Sequence, residues 1–349
     1  MRFSSEIGEP AAGELVTGRV KWLLLLTLLL LPGLLPIFSN PLNAGTQTVR
    51  IGVLKFGTIN WEMEVIQRHQ LAEKAGIDLQ IVRLGSTQAL KVALQGGVVD
   101  AVVGDWLWAA RQLEFKRDYY FYPYSTSAAS LVVDPVSGIA SFDQLAGRRI
   151  GVAGGPLNKS WVLYRAYARR VHNLDLASDA TIKFAAPPML NALLQQQELD
   201  AVINFWHYSA ELNAAGMPTV LTMGELLQGV GVDQDVPLLG WLFSRRWGDE
   251  HADAINAFLA VSAAAKQLLL HSDREWEQLE SMARIESEAL KHALRDQYRA
   301  GIPAGFGRRE QQAMGQLFAV LKEEGGADMV GKLAQLPEAI FWPSPVIAQ

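Results

Sequence analysis

Val99-Asp100-Ala101-Val102-Val103-Gly104-Asp105-Trp106 is answered one hundred residues later by Leu199-Asp200-Ala201-Val202-Ile203-Asn204-Phe205-Trp206. The match extends upstream without a gap: Leu90, Ala93, Leu94 and Gln95 precede the first copy as Leu190, Leu193, Leu194 and Gln195 precede the second. Further back, Arg50-Ile51-Gly52-Val53 is answered by Arg149-Ile150-Gly151-Val152, each a short apolar run leading into glycines and a helix-like stretch. One α/β unit is built twice. Two such units facing each other leave a cleft between them, so the repeat predicts a two-lobed binding protein before any ligand is considered.

Around the copies the polarity pattern alternates between strand and helix. Residues 49–54 read as a buried strand, 61–74 as a helix ended by Ala75-Gly76, and 79–84 as a strand of alternating polarity. Gly85-Ser86-Thr87 supplies turn and cap chemistry for a helix to Leu94, which Gly96-Gly97 closes before a third strand at 99–103. That order implies parallel pairing through right-handed crossovers. Residues 119–122 and 130–133 read as strands leaving the first lobe, and Asp134-Pro135-Val136-Ser137-Gly138 as a turn-rich hinge. The second unit opens at Arg149, and 239–243 read as a strand returning to the first lobe, so the chain crosses twice. These boundaries place lobe I at 45–135 and 236–349 and lobe II at 136–235. Beyond Asp249 the pattern is helical, at 252–270, 286–299 and 310–322, with charged faces that read as packing and solvated surface.

A chain of 349 residues, half of them apolar, can bury two cores of ordinary size, and its net charge of -5 gives no reason to expect nucleic acid. Arg19 and Lys21 precede a leucine-rich run from Trp22 to Leu31 that Pro32, Gly33 and Pro36 interrupt, and Asn43-Ala44-Gly45 offers small residues for cleavage. This is the layout of a secretory signal over 1–44. The rival reading, an uncleaved anchor to Phe38, sits at the short limit for crossing about 30 Å of hydrocarbon. Both readings place the folded part outside the cytoplasm. With no cysteine, disulfides, thiolate metal sites and cysteine nucleophiles are excluded.

Ile51-Gly52-Val53, the run from Gly85-Ser86-Thr87 to Ala93-Leu94-Gln95-Gly96-Gly97-Val98-Val99-Asp100-Ala101, and Leu145-Ala146-Gly147-Arg148-Arg149-Ile150-Gly151-Val152 resemble the substrate-binding proteins of ABC importers. The group is the one that holds aliphatic sulfonate, nitrate, taurine and thiamine-precursor binders, and the resemblance covers about 48–243. It implies the type II periplasmic binding fold: two α/β lobes with a central ligand cleft, a helical C-terminal region, a monomer in the periplasm, a small-molecule ligand, and a membrane permease as partner. The aromatic segments Phe56-Gly57-Thr58-Ile59-Asn60-Trp61 and Gly104-Asp105-Trp106-Leu107-Trp108 depart from the best-known members.

In open α/β sheets ligands bind beyond the carboxyl ends of strands, where helices begin and unpaired backbone N–H groups point outward. That rule selects Thr58, Asn60 and Trp61, Ser86 and Thr87, and Asp105 and Trp106 in the first lobe. In the second it selects Asn158, Ser160 and Trp161 with Asn204, Trp206 and His207. Trp61, Trp106, Trp161 and Trp206 fall at equivalent junctions, where an indole stacks on a planar ligand or contacts a cation; the plain alternative is lobe packing. Asp105 beside them favours an amine, an amidine-like heterocycle or a hydroxylated ring over a bare anion. Ser86 with Thr87 at a helix start suits an anion or is an ordinary cap. Glu62 and Glu64 read as first-turn acids placed for the helix dipole, Asp100 and Asp200 as turn residues, and Lys55 and Lys159 as exposed lysines. The six histidines show no ligand spacing, so no metal or cofactor is expected, and no catalytic dyad is visible. The competing classes are a small-molecule biosynthetic enzyme on the same fold and a sensor domain tethered by its leader.

Overall fold

In a computed structural model, residues 47–234 and 236–343 are described, and they belong to one compact unit. The expected leader at 1–44 lies outside the described residues. The first lobe opens with β1 (Gln47–Leu54), α1 (Ile59–Arg68), β2 (Ile77–Leu84), α2 (Thr87–Gln95), β3 (Ala101–Asp105), α3 (Trp106–Gln112) and β4 (Tyr119–Ser125). The second holds β5 (Ser130–Val133), β6 (Arg149–Ala153), α4 (Lys159–His172), β7 (Thr181–Ala185), α5 (Pro187–Gln195), β8 (Ala201–Asn204), α6 (Trp206–Ala214), β9 (Thr219–Leu221) and α7 (Met223–Gly229). The chain returns through β10 (Leu239–Ser244) and ends in α8 (Ala252–His271), α9 (Glu288–Ala300) and α10 (Arg308–Val330), the last bent at Gly326.

The sheets run β2-β1-β3-β10-β4 and β7-β6-β8-β5-β9. In each, the first three strands are parallel, and the fourth is antiparallel and arrives directly from the other lobe. The expected returning strand is therefore β10. The strand at 130–133, which the sequence reading gave to the first lobe, pairs instead with β8 and β9 of the second sheet. The first crossing thus lies at 126–129, ahead of the Asp134–Gly138 turn. A four-residue apolar strand carries no mark of which sheet will take it; only the pairing decides.

The repeat has a physical reason in both lobes. Asp100 closes β1 onto β3: its carboxylate accepts from Arg50 Nε at 3.1 Å, from Arg50 Nη2 at 2.6 Å and from the Arg50 backbone N–H at 2.8 Å. Asp200 does the same to Arg149 at 3.1, 2.6 and 2.7 Å, and that hydrogen-bonded guanidinium holds its carboxyl below the usual range. These aspartates are cross-strand clamps, not turn residues. Gly52 and Gly151 let the neighbouring strand segment and the helix before it close on the lobe's first strand: a Cβ at Gly52 would lie 2.9 Å from Val102 of β3 and 3.1 Å from Leu90 of α2, and one at Gly151 2.7 Å from both Leu190 of α5 and Leu199.

The C-terminal helices cover both lobes. α8 packs on α1, α9 on α6 and α10 on α4. One core gathers Val49, Ile51, Trp61, Trp241 and Phe258; another runs from Leu90, Val102 and Phe121 through Leu131, Val152 and Trp161 to Met314 and Phe318, joining the lobes.

Candidate functional site

The carboxyl ends of β1, β2 and β3 and of β6, β7 and β8 lead into α1, α2, α3, α4, α5 and α6, and the local sequence fixes each start. Ser86 accepts from Ala89 N at 3.1 Å to cap α2, and Asp105 accepts from Leu107 N at 2.9 Å to cap α3. Asn158 caps α4 by accepting from Ser160 N at 2.9 Å and Trp161 N at 3.3 Å, while Gly154, at φ +86°, turns the chain into that loop. Pro187 and Pro188 open α5, where missing N–H groups cost nothing.

Five of the residues selected from the sequence, Asn60, Ser86, Asp105, Asn158 and Asn204, are spent holding these loops. Asn60 donates to Leu54 O at 3.0 Å and Gly57 O at 2.9 Å. Asn204 is fully buried: it donates to Pro187 O and to Asn191 Oδ1 at 2.8 Å and accepts from Phe205 N, and Asn191 passes the chain of bonds to Glu211 at 3.1 Å. The tryptophans turn inward. Trp61, Trp106 and Trp161 are buried in the cores, and the Trp61 indole donates to Ser281 Oγ at 2.7 Å. Trp206 is half-buried and leaves its own lobe to meet Trp61 edge-on, with centroids 6.1 Å apart, and Tyr298 at 6.4 Å. Trp61, Trp106 and Trp161 lack the open face that stacking on a ligand needs; a position beyond a strand end fixes where a side chain starts, not which way it points.

Thr58, Thr87, Ser160 and His207 keep polar groups that the fold leaves uncommitted, as does Trp106, whose buried indole N–H has no partner. Thr58 sits at the start of α1 with no cap bond from its hydroxyl. The Thr87 side chain is exposed at the start of α2, and Ser160 is half-buried in the first turn of α4. His207 Nδ1 is enclosed without a hydrogen-bond partner, and burial pushes the imidazole down to about 4, so it is neutral at pH 7. Large apolar side chains stand in solvent on the same loops: Phe56 at 89% exposure, Leu157 at 53% and Phe205 at 37%. A depression of about 250 Å³ is lined by Gly224, Gln228, Val232, Asp233 and Gln234, on α7 and the start of the second crossing.

Three charged groups differ from their sequence reading. Lys159 is not an exposed lysine: its Nζ meets Asp105 Oδ1 at 3.0 Å and Leu238 O at 3.0 Å and lies 5.1 Å from the Trp106 ring centre. Asp105 therefore does not stand free to receive an amine. Glu62 is not a surface acid serving the dipole. It is wholly buried, bonded by Lys266 Nζ at 2.7 Å and Ser262 Oγ at 2.5 Å, with the Tyr124 ring 3.4 Å from that ammonium. Glu64, by contrast, stays at the surface beside Arg68 and accepts from Glu280 N at 3.0 Å. The missed partners, Ser262 and Lys266, lie 200 and 204 residues from Glu62 in a helix whose composition signals only packing.

No protein-family model matches the chain, and no curated protein matches it in sequence. Solved structures do match in fold. The periplasmic aliphatic sulphonate binding protein SsuA from Escherichia coli is similar at a TM-score of 0.67 and 16% identity, over 86% of this chain and 93% of that one. The alkanesulfonate-binding protein SsuA from Xanthomonas axonopodis pv. citri, bound to MOPS, gives 0.62 and 17%, over 84% and 98%. An ABC transporter protein from Parabacteroides distasonis gives 0.61 and 12%, over 86% and 100%. The fold is the two-lobed α/β architecture of these binding proteins, with a helical C-terminal region.

Proposed function

We propose that the chain is the exported solute-binding component of an ABC importer in the aliphatic sulfonate, nitrate and taurine group. In this reading it works in the periplasm as a monomer, holds a small organic molecule between its lobes and hands it to a membrane permease; it catalyses no reaction. The observation that carries the reading is the pair of like sheets, crossed twice, whose parallel strands all end in helix starts. The fold likeness to sulfonate-binding proteins supports it.

The ligand contacts we assign are Thr58, Thr87, Ser160 and His207, with Phe56, Leu157 and Phe205 as an apolar rim. Three hydroxyls and a neutral imidazole offer hydrogen bonds without net charge, and the rim offers surface for carbon. Together they suit an organic molecule with an oxygen-bearing head and an apolar body better than a bare inorganic ion. A thermal-shift screen of sulfonates, nitrate, amines and pyrimidines tests this. A ligand at 100 times its Kd adds about 2.7 kcal/mol to stability. The shift is expected from organic sulfonates or similar oxyanions and lost in Ser160→Ala and His207→Ala. If no compound shifts the protein, or a bound compound is recovered chemically altered, the reading fails.

A further inference from the structure

Lys159 occupies a place that electrostatics disfavours. It is the first residue of α4, where the helix dipole repels a cation, and the first turn holds no acid to offset it. Its stem nevertheless runs back into the molecule, and the side chain is only 11% exposed. Each partner of its ammonium belongs to a different part of the fold. Asp105, at 3.0 Å, ends β3 of the first lobe; Leu238 O, at 3.0 Å, belongs to the second crossing; and the Trp106 ring, at 5.1 Å, begins α3. The Leu238 N–H in turn donates to Ser125 O at 2.9 Å, at the edge of the first crossing, and Thr126 N donates to Gly301 O at 2.9 Å. One cation on the second lobe thus grips the first lobe and the connections between them. Among the described residues, the other ion pairs made by α4 run to Asp175 of its own lobe or to Glu323 and Glu324 of α10, so Lys159–Asp105 joins the two α/β frameworks directly.

We propose that Lys159 is a positioning residue that latches the lobes together through Asp105 and thereby sets the width of the cleft in which the neighbouring Ser160 stands. The pair is ionic yet a third of Asp105 remains in water, so it can part and re-form without stranding a wholly buried charge. The latch follows from the position of the lobes alone and survives the failure of the solute-binding reading, because it is tested without ligand.

The test is small-angle scattering of the purified protein and three single variants, with a double variant to complete the cycle. Lys159→Met keeps the stem and removes the charge. Asp105→Asn removes the charge but still caps α3, since asparagine caps as well as aspartate. Lys159→Arg keeps the charge. Against a radius of gyration of roughly 20 Å for a compact chain of this size, Lys159→Met and Asp105→Asn are each expected to add on the order of 1 Å. The double variant should add no more than either alone, and Lys159→Arg should match the parent. The latch is overturned if either charge-removing variant stays as compact as the parent, or if their effects add. Should Lys159→Met not fold, Asp105→Asn against the parent decides the matter alone.

Discussion

The two lobes repeat one another so closely that their differences are the informative part. At the helix after the first strand, Trp61-Glu62 stands in one lobe and Trp161-Val162 in the other, and all four side chains are buried. The first lobe buries Glu62 against Lys266 of α8; the second buries Val162 beneath α10. Each α/β unit therefore has a C-terminal helix over that face, and at this one position the contact is ionic in the first lobe and apolar in the second, where the ion pairs of α4 with Glu323 and Glu324 of α10 lie further along the helix. The ionic cover brings no evident gain in stability, because desolvation offsets attraction; burial lowers the Lys266 amine, and Glu62 opposes that shift only in part. What the pair does impose is that neither partner can be removed alone.

The largest expected effect tests that asymmetry. Glu62→Ala, which strands Lys266, should cost about 3–5 kcal/mol in denaturant unfolding, whereas Val162→Ala should cost about 1.5 kcal/mol for two lost methyl groups. Glu62→Leu combined with Lys266→Met should recover most of the loss. If Glu62→Ala is as mild as Val162→Ala, the two covers are equivalent.

The next difference is Leu107 against His207, each the second residue of its helix. The folded-state pKa of His207 lies below that of an unfolded histidine, so its contribution is fully present above about pH 6.5 and is lost as the pH falls toward 4. Unfolding followed between pH 7 and pH 4 should show up to about 3 kcal/mol of loss from this group. His207→Leu, which copies the first lobe, should flatten that slope; an unchanged slope would assign the acid sensitivity elsewhere.

The glycines that let neighbouring side chains close on the first strand of each lobe should also rank. Gly151→Ala meets two leucines at 2.7 Å where Gly52→Ala meets a valine at 2.9 Å, so both should lose about 1–3 kcal/mol, with Gly151→Ala the worse. The smallest effect carries the opposite sign. α2 ends with Gly97 at φ +67° and α5 with Gln197 at φ +58°, the same left-handed turn made by a residue with a Cβ. Gln197→Gly should stabilise the second lobe by about 1 kcal/mol in thermal unfolding. A loss would mean that the glutamine side chain does more than occupy the turn.

Much of this was legible because the repeat concerns neighbours along the chain. Short-range periodicity marks strands and helices, and the returning strand β10 stood out as an apolar run after a loop. The Arg50–Asp100 and Arg149–Asp200 clamps were not legible: the four residues recur at separations of 50 and 51, but a charge beside a strand end reads as a turn, as both aspartates do. The candidate site was legible only as a set of loops. Asn60 and Asn204 carry the right chemistry in the right place, but their amides are consumed by backbone carbonyls that a sequence does not bring into view.

By itself the sequence determined that one unit occurs twice, that its strands run parallel and that the chain crosses between lobes two times, because strand period, cap residues and glycine punctuation act within a few residues of one another. Only the tertiary structure decided that β5 joins the second sheet, that the junction tryptophans face inward, and that Lys159 reaches Asp105 and Lys266 reaches Glu62. Those outcomes depend on which surfaces meet once the chain has folded back on itself, and on the cost of leaving a charge or an indole without a neighbour there.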